Sequence, residues 1–355
     1  MTLEQLTNDA ISLLKKLIET PSFSSEEDKT ASIIEAWMKR YLIDYKRTKN
    51  NVWAVNKHFD ENNPTLLLNS HHDTVKPNSA YSKDPFKAII EDGKLYGLGS
   101  NDAGGCLVSL IATFTYFYNQ ENLKYNLVLV ASAEEESSGP NGLNSMLSII
   151  PKIDVAIVGE PTLMNLAVAE KGLVVFDAKV VGTPSHAAHP NDNNCIYNTI
   201  KVLQWFKDFK FEKTSDVLGD VKLTVTQIKA GTQHNAVPAD VDLVIDVRVN
   251  DAYTNAEIAK ILQEKSPCDS ITPRSLRLNS SSIPLNHDLV KAGIAMGRET
   301  YGSPTLSDQA VLTCSSLKLG PGNSTRSHSA DEFIYLNEIE EGIKIYVELL
   351  NRVIV

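Results

Sequence analysis

Cysteine is scarce in this 355-residue chain. There are four, Cys106, Cys195, Cys268 and Cys314, far apart and never in a Cys-x-x-Cys pair. This argues against a disulfide framework or a cysteine-built zinc site and fits a reducing cytoplasm. Basic runs are missing too: the net charge is -10, and Lys15-Lys16 is an ordinary solvated pair. A nucleic-acid face needs clustered Lys and Arg, so no nucleic-acid partner is expected. Long apolar runs are also lacking. The longest, Leu107 to Tyr118, is interrupted by Ser and Thr and is too short to span a membrane, so it reads as a buried helix. Met1-Thr2-Leu3-Glu4-Gln5 has no charged-then-apolar signal layout. The expectation is a cytoplasmic protein with no membrane partner, without internal repeats or low-complexity tracts.

What remains is an ordinary globular composition, 42% hydrophobic and 22% charged, long enough for one large domain or two smaller ones. Leu3, Leu6, Ala10, Leu14, Leu17 and Ile18 keep helical spacing, and Thr20-Pro21 ends that helix. Ser24-Ser25 before Glu26-Glu27 reads as the cap of a second helix carrying Ile33, Ile34 and Trp37. The short runs Leu66 to Leu68, Leu127 to Val130 and Val155 to Val158 suit strands buried on both faces with helices between them. After Lys171-Gly172 the texture changes. A strand over Leu173 to Val181, a helix over Ile196 to Phe206 and a strand over Leu223 to Thr226 follow. Val241, Leu243, Ile245, Val247 and Val249 then alternate as a half-buried strand. A helix around Ala256 to Gln263 and a last strand near Ser275 to Leu278 complete a β-α-β-β-α-β order, the ferredoxin-like pattern. The fold class expected is α/β: a large domain with a central sheet flanked by helices, residues 1–172 and 283–355, and an inserted α+β domain, residues 173–282. A closing helix carries Ile339, Ile343, Tyr346, Leu350 and Val353.

Chemistry concentrates just past the apolar strands, where open α/β sheets place their sites. His71-His72-Asp73 follows the first. Residues 71 and 73 point the same way, so Asp73 is placed to orient a metal-binding His71. Asp102 lies in the glycine-rich stretch Gly97-Leu98-Gly99-Ser100-Asn101-Asp102-Ala103-Gly104-Gly105. Its spacing fits neither a phosphate loop nor a dinucleotide loop. Glu134-Glu135-Glu136 ends the strand from Leu127. Neighbouring carboxylates suit a division of labour, one a metal ligand and the other free to move a proton. Glu160 and the lone loop histidine His328 complete the set. Carboxylates gathered at buried strand ends repel one another unless cations hold them. Each segment alone is compatible with a solvated loop, and a metal-binding regulator without catalysis remains an alternative.

Together these segments, in this order, resemble the zinc-dependent acetylornithine deacetylase / succinyl-diaminopimelate desuccinylase / aminoacylase metallopeptidase family, most closely its N-acylornithine deacetylase branch. The resemblance implies a zinc-hydrolase domain holding two Zn2+, with Co2+ as a substitute. Asp102 would bridge the two metals, His71 and Glu160 would complete one, and Glu136 and His328 the other. It implies Glu135 as general base, with Asp73 orienting His71. The family's Asp-Glu-Glu is Glu134-Glu135-Glu136 here, and the family's Gly before the first His is Ser70. The inserted domain would be a lid and dimerisation domain. Gly182-Thr183-Pro184-Ser185-His186 matches the lid motif, so that His186 would steady the oxyanion of a partner subunit. Asn235 and Arg248 would hold the substrate α-carboxylate. The other histidines, His58, His72, His189, His234 and His287, read as structural or surface residues. Glu170 would welcome a cationic side chain such as ornithine's, and Arg326 could read a succinyl carboxylate or merely brace its loop. The implied activity is removal of the acyl group from an N-acyl basic amino acid, N-acetyl- or N-succinyl-ornithine, in arginine biosynthesis, by a homodimer. A di-, amino- or carboxypeptidase of the same family is the alternative.

Overall fold

Four parallel strands set the frame, Asn126–Ser132, Thr65–His71, Val155–Val158 and Ser315–Lys318, in that spatial order. The first three are buried at every position, as their unbroken apolar sequences predict for strands covered on both faces. Asn51–Val55 and Tyr45–Thr48 extend the sheet antiparallel beyond Asn126–Ser132. The computed structural model describes residues 2–355 and divides them into two units. The first runs to Val168 and includes Ser282–Tyr301 and Ser307–Val355; the second comprises Ala169–Ser281 and Gly302–Leu306.

In the first unit three helices pack around the sheet. Leu3–Ile18 buries Leu6, Ala10, Leu13, Leu14 and Leu17. Its N-terminus is capped by Thr2, whose Oγ1 accepts from the Gln5 N–H. Gly105–Phe117 is buried almost all round, which explains why its sequence shows so little polar face. Leu336–Ile354 buries Ile339, Ile343, Tyr346, Leu350 and Val353 in the same core. A small sheet of Ile89–Glu91, Lys94–Tyr96 and Phe333–Tyr335 joins the chain before Asp102 to the chain after His328. The second helix, Asp28–Arg40, has no side-chain cap. The expected cap serines are used elsewhere: Ser24 Oγ donates to Asp73 at 2.7 Å and Ser25 Oγ to Glu134 at 3.1 Å.

The second unit contains Gly172–Val181, Cys195–Asp208, Lys222–Ala230, Asp240–Val249, Asn255–Lys265 and Ser270–Pro273. Its four strands form an antiparallel sheet in the order Lys222–Ala230, Asp240–Val249, Gly172–Val181, Ser270–Pro273. That is the β-α-β-β-α-β arrangement read from the sequence. The last strand lies at 270–273, however, and not at 275–278. The Asn255 amide takes the carbonyls of Leu276 and Leu278, which draws that stretch off the ladder. Val174, Phe176, Leu243, Ile245, Ile258 and Leu262 belong to a separate core.

Candidate active site

All four parallel strands deliver candidate site residues at or beyond their carboxyl ends. His71 closes Thr65–His71, Glu134 to Glu136 follow Asn126–Ser132, Glu160 follows Val155–Val158, and His328 lies in the loop after Ser315–Lys318. Asp102 arrives from the turn before the buried helix. Gly99 enters that turn at φ +73°, where a Cβ would also meet Thr74 Cγ2 at 2.5 Å.

The His71 ring is buried, with Nδ1 3.0 Å from the Asp73 carbonyl oxygen. A proton on Nδ1 leaves Nε2 as a lone pair. Nε2 has no hydrogen-bond partner among the described residues. It faces Asp102 Oδ1 at 3.4 Å, Glu160 Oε1 at 3.7 Å and Glu135 Oε2 at 3.9 Å. On the other side His328 Nε2 lies 3.0 Å from Glu136 Oε2 and 3.7 Å from Asp102 Oδ2. Asp102 thus presents one oxygen to each histidine. Two overlapping donor groups result, His71–Asp102–Glu136 and His71–Glu135–Glu160, each with its ligand atoms within 4.8 Å of one another. An orphaned imidazole nitrogen among carboxylate oxygens is a donor set suited to divalent metal.

Proton affinities show the same crowding of negative charge. Burial, reinforced by Asp102, pushes Glu160 up to about 8, against the pull of Lys318. Burial also holds Glu135 well above the ordinary carboxylate range, with Glu160, Asp308 and Glu136 adding to it. The hydrogen bond to Glu136 lifts His328 to about 9. For His71 burial acts downward, but Asp102 and Asp73 outweigh it and hold the ring well above the usual histidine value.

The supporting contacts are largely absent from the sequence reading. The Asp73 carboxylate, 3.4 Å from His71 Nδ1, accepts the backbone N–H groups of Glu135 at 3.0 Å and Glu136 at 3.1 Å. It ties the His71 strand end to the glutamate loop. Glu134 turns away at φ +56°, and its carboxylate accepts from Asn141 and Ser25. Asn101 exchanges hydrogen bonds with the Asn323 main chain at 3.0 and 3.1 Å, and Thr162 does the same with Gly320. Ser132 donates to the buried Asp308 at 2.6 Å. Glu332 accepts from the backbone of the Asp102 turn. The acidic pair Asp331-Glu332 in the loop that carries His328 and the Asn beside Asp102 were the signals in the sequence. His72 is a buried strut between Thr30 and Asn50, and His287 caps Asp288–Ala295.

The candidates of the second unit form their own group. Ser185–His186 pairs antiparallel with Ala236–Val237, and Ala187 N–H donates to the Asn235 carbonyl at 3.0 Å. The two motif segments, some fifty residues apart in sequence, thus meet. Arg248 holds both oxygens of Asp246, at 2.9 and 3.2 Å, so its guanidinium already has a carboxylate. Glu170 is fully buried, which does not fit a residue that greets a cationic side chain. Arg326 is also engaged. It forms a bidentate pair with Glu338 at 2.7 and 3.0 Å and lies over the Phe333 and Tyr335 rings. These contacts brace the loop that carries His328.

A sequence model described as peptidase family M20/M25/M40 matches residues 67–352. The chain belongs to peptidase family M20/M25/M40. It is therefore a hydrolase of that family. Among curated proteins, a succinyl-diaminopimelate desuccinylase of Rickettsia felis is 25% identical over 97% of this chain and 100% of its own length. An acetylornithine deacetylase of Buchnera aphidicola is 25% identical over 96% and 97%. Among solved M20-like structures, a Staphylococcus aureus tripeptidase superposes with a TM-score of 0.76 at 18% identity, covering 97% of each chain. A dinuclear metal-binding M20 peptidase of Bacillus subtilis gives 0.75 at 15% identity, covering 98% of each. These structures share the family's mixed α/β fold with its central sheet.

Arg326→Gln should lower stability by about 1–3 kcal/mol, the scale of a half-buried charged hydrogen-bonded pair. It should leave the succinyl/acetyl rate ratio unchanged. Urea unfolding and a paired substrate assay check this, and a ratio shifted severalfold would restore a substrate role for Arg326.

Proposed function

We propose that this M20 hydrolase is a metal-dependent deacylase that cleaves the amide of an N-acyl basic amino acid, N-acetyl- or N-succinyl-ornithine. This would be a cytoplasmic step of arginine biosynthesis. The observation that carries the reading is the buried ring of Asp102, Glu135, Glu136 and Glu160 about His71 Nε2, with Glu135 fixed by its own backbone to Asp73. The full-length likeness to a desuccinylase and a deacetylase favours N-acyl amino acids. His71 and Glu160 would hold one metal, Glu136 and His328 the other, and Asp102 both. Zinc is the expected ion, with cobalt as a substitute. When bound, the metals would lower the pKa of a shared water and polarise the amide carbonyl.

The chain's own groups do the rest. Glu135 takes a proton from the attacking water on a carboxylate oxygen and returns it to the departing amine nitrogen. Its raised proton affinity suits both halves of that task. Asp73 fixes the His71 ring through its carbonyl and the Glu135 main chain through its carboxylate. His186, Asn235 and Arg248 would supply contacts to the oxyanion and the α-carboxylate. Arg248 would reach the latter by sharing its fork with, or leaving, Asp246.

A homodimer through the second unit belongs to the same reading. Lys222–Ala230 is an exposed edge strand, and Ile228, Ile196, Tyr197 and Ile200 expose large apolar side chains on the same unit. An edge strand flanked by apolar surface is a template for a second copy.

Three outcomes test the proposal. In a panel of N-acetyl- and N-succinyl-ornithine, -lysine, -citrulline and -diaminopimelate set beside dipeptides, an acylated ornithine should be turned over fastest; dipeptides ahead of every acyl amino acid would move the assignment to a peptidase. Glu135→Gln should retain both metals and lose at least about a thousandfold in kcat, near the upper range of general acid–base contributions; loss of metal would make Glu135 a ligand instead. Ile200→Glu should shift sedimentation from dimer to monomer, and an unaltered dimer would move the interface elsewhere.

A further inference from the structure

Glu332 touches none of the candidate ligand atoms, yet it is among the least accessible carboxylates of the molecule, 2% exposed. It sits at the start of Phe333–Tyr335, whose pairing with Lys94–Tyr96 brings it beside the Gly97 to Asp102 segment. Its own carbonyl accepts the Gly97 N–H at 3.0 Å. Its carboxylate accepts three N–H groups of this turn: Gly99 at 3.0 Å on Oε2, Asn101 at 2.8 Å and Asp102 at 2.9 Å on Oε1. One of these three residues, Asp102, is the one whose two oxygens face His71 and His328.

We infer that Glu332 is the positioning residue of the bridging carboxylate. By gathering three N–H groups into one carboxylate it fixes the main chain of the turn. It thereby points the Asp102 side chain away from itself and between the two histidines, before any cation arrives. Ser327 reaches the Asp102 side chain itself, whereas Glu332 holds the main chain behind it. Asn101 also anchors the turn, but to the Asn323 main chain and from the side. The turn itself is glycine-rich, with Gly99, Gly104 and Gly105, so the backbone is soft there and needs an external clamp. A buried carboxyl group that accepts several backbone N–H groups restrains the chain at several points at once. Groups that orient a ligand without touching the metal typically change metal affinity about ten- to a hundredfold.

The inference rests on the two-metal reading of the site, and the test separates the two. Metal-free wild type, Glu332→Gln and Glu332→Asp are titrated with Co2+ and followed by calorimetry and by the visible absorption of the bound ion. Circular dichroism and thermal melting report on the fold. Glutamine keeps one accepting oxygen and puts an N–H2 where the other stood; aspartate keeps the charge but withdraws both oxygens. Wild type should take up two equivalents. Folded Glu332→Gln should bind Co2+ at least tenfold more weakly and with an altered absorption band, and Glu332→Asp should fall between. Wild-type affinity and spectrum in the folded variants would overturn the inference. If the glutamine variant does not fold, the same criterion applies to the aspartate variant. A wild-type protein that takes up fewer than two equivalents would remove the two-metal reading, and this inference with it.

Discussion

The structure turns on the mutual repulsion of buried carboxylates at one sheet edge. Asp102, Glu135, Glu136 and Glu160 converge on two imidazoles. Two such charges about 4 Å apart cost about 4 kcal/mol at the effective dielectric of a protein surface. Several such pairs would rival the net stability of a whole domain. The fold therefore has to hold these loops against their own charge, and a cation that relieves the repulsion adds to stability as well as to chemistry. Four parallel strands ending together provide the rigid part of that restraint.

The remaining restraint comes from acidic residues that bind backbone instead of metal. Asp73 takes the N–H groups of Glu135 and Glu136, and Glu332 those of Gly99, Asn101 and Asp102. Glu27 takes those of Ser25 and Glu134. A hydrogen bond to a charged group contributes about 1.5–3 kcal/mol, so two or three together offset the repulsion that a further buried carboxylate introduces. The same residue type thus does opposite work a few ångströms apart. Some carboxylates hold the loops in place, and others present oxygens to a common centre.

This duality explains what was legible in the sequence. Unbroken apolar runs forced buried parallel strands, and parallel strands force their carboxyl ends onto one edge. The segments carrying His71, Glu135, Glu136, Glu160 and His328 could therefore be placed together from sequence. The alternation from Val241 to Val249 likewise led to the sheet of the second unit. The clamps could not be read in this way. Nothing local distinguishes Glu332 from a solvated acid after a loop, because its partners lie some 230 residues earlier. Ser24-Ser25 carries a local capping signal that long-range bonds to Asp73 and Glu134 override. For Arg326 the sequence leaves a substrate contact and a loop brace open, because the Glu338 pair and the Phe333 and Tyr335 rings beside it are not local signals.

The three consecutive glutamates show how backbone geometry sends chemically identical neighbours to different partners. At Glu134 the chain takes a left-handed φ of +56°, which sends that carboxylate to Asn141 and Ser25. With both oxygens engaged there, it is a strut. Glu136 lies within hydrogen-bonding distance of His328, 3.0 Å away, the relation of two ligands that share a centre. Glu135 lies between them, its main chain held by Asp73 and its carboxylate 3.9 Å from His71 Nε2, close enough to exchange a proton with a nucleophile held there. Burial lifts its proton affinity well above that of an ordinary glutamate. With its two neighbours engaged in this way, Glu135 is the one of the three that we propose for proton transfer.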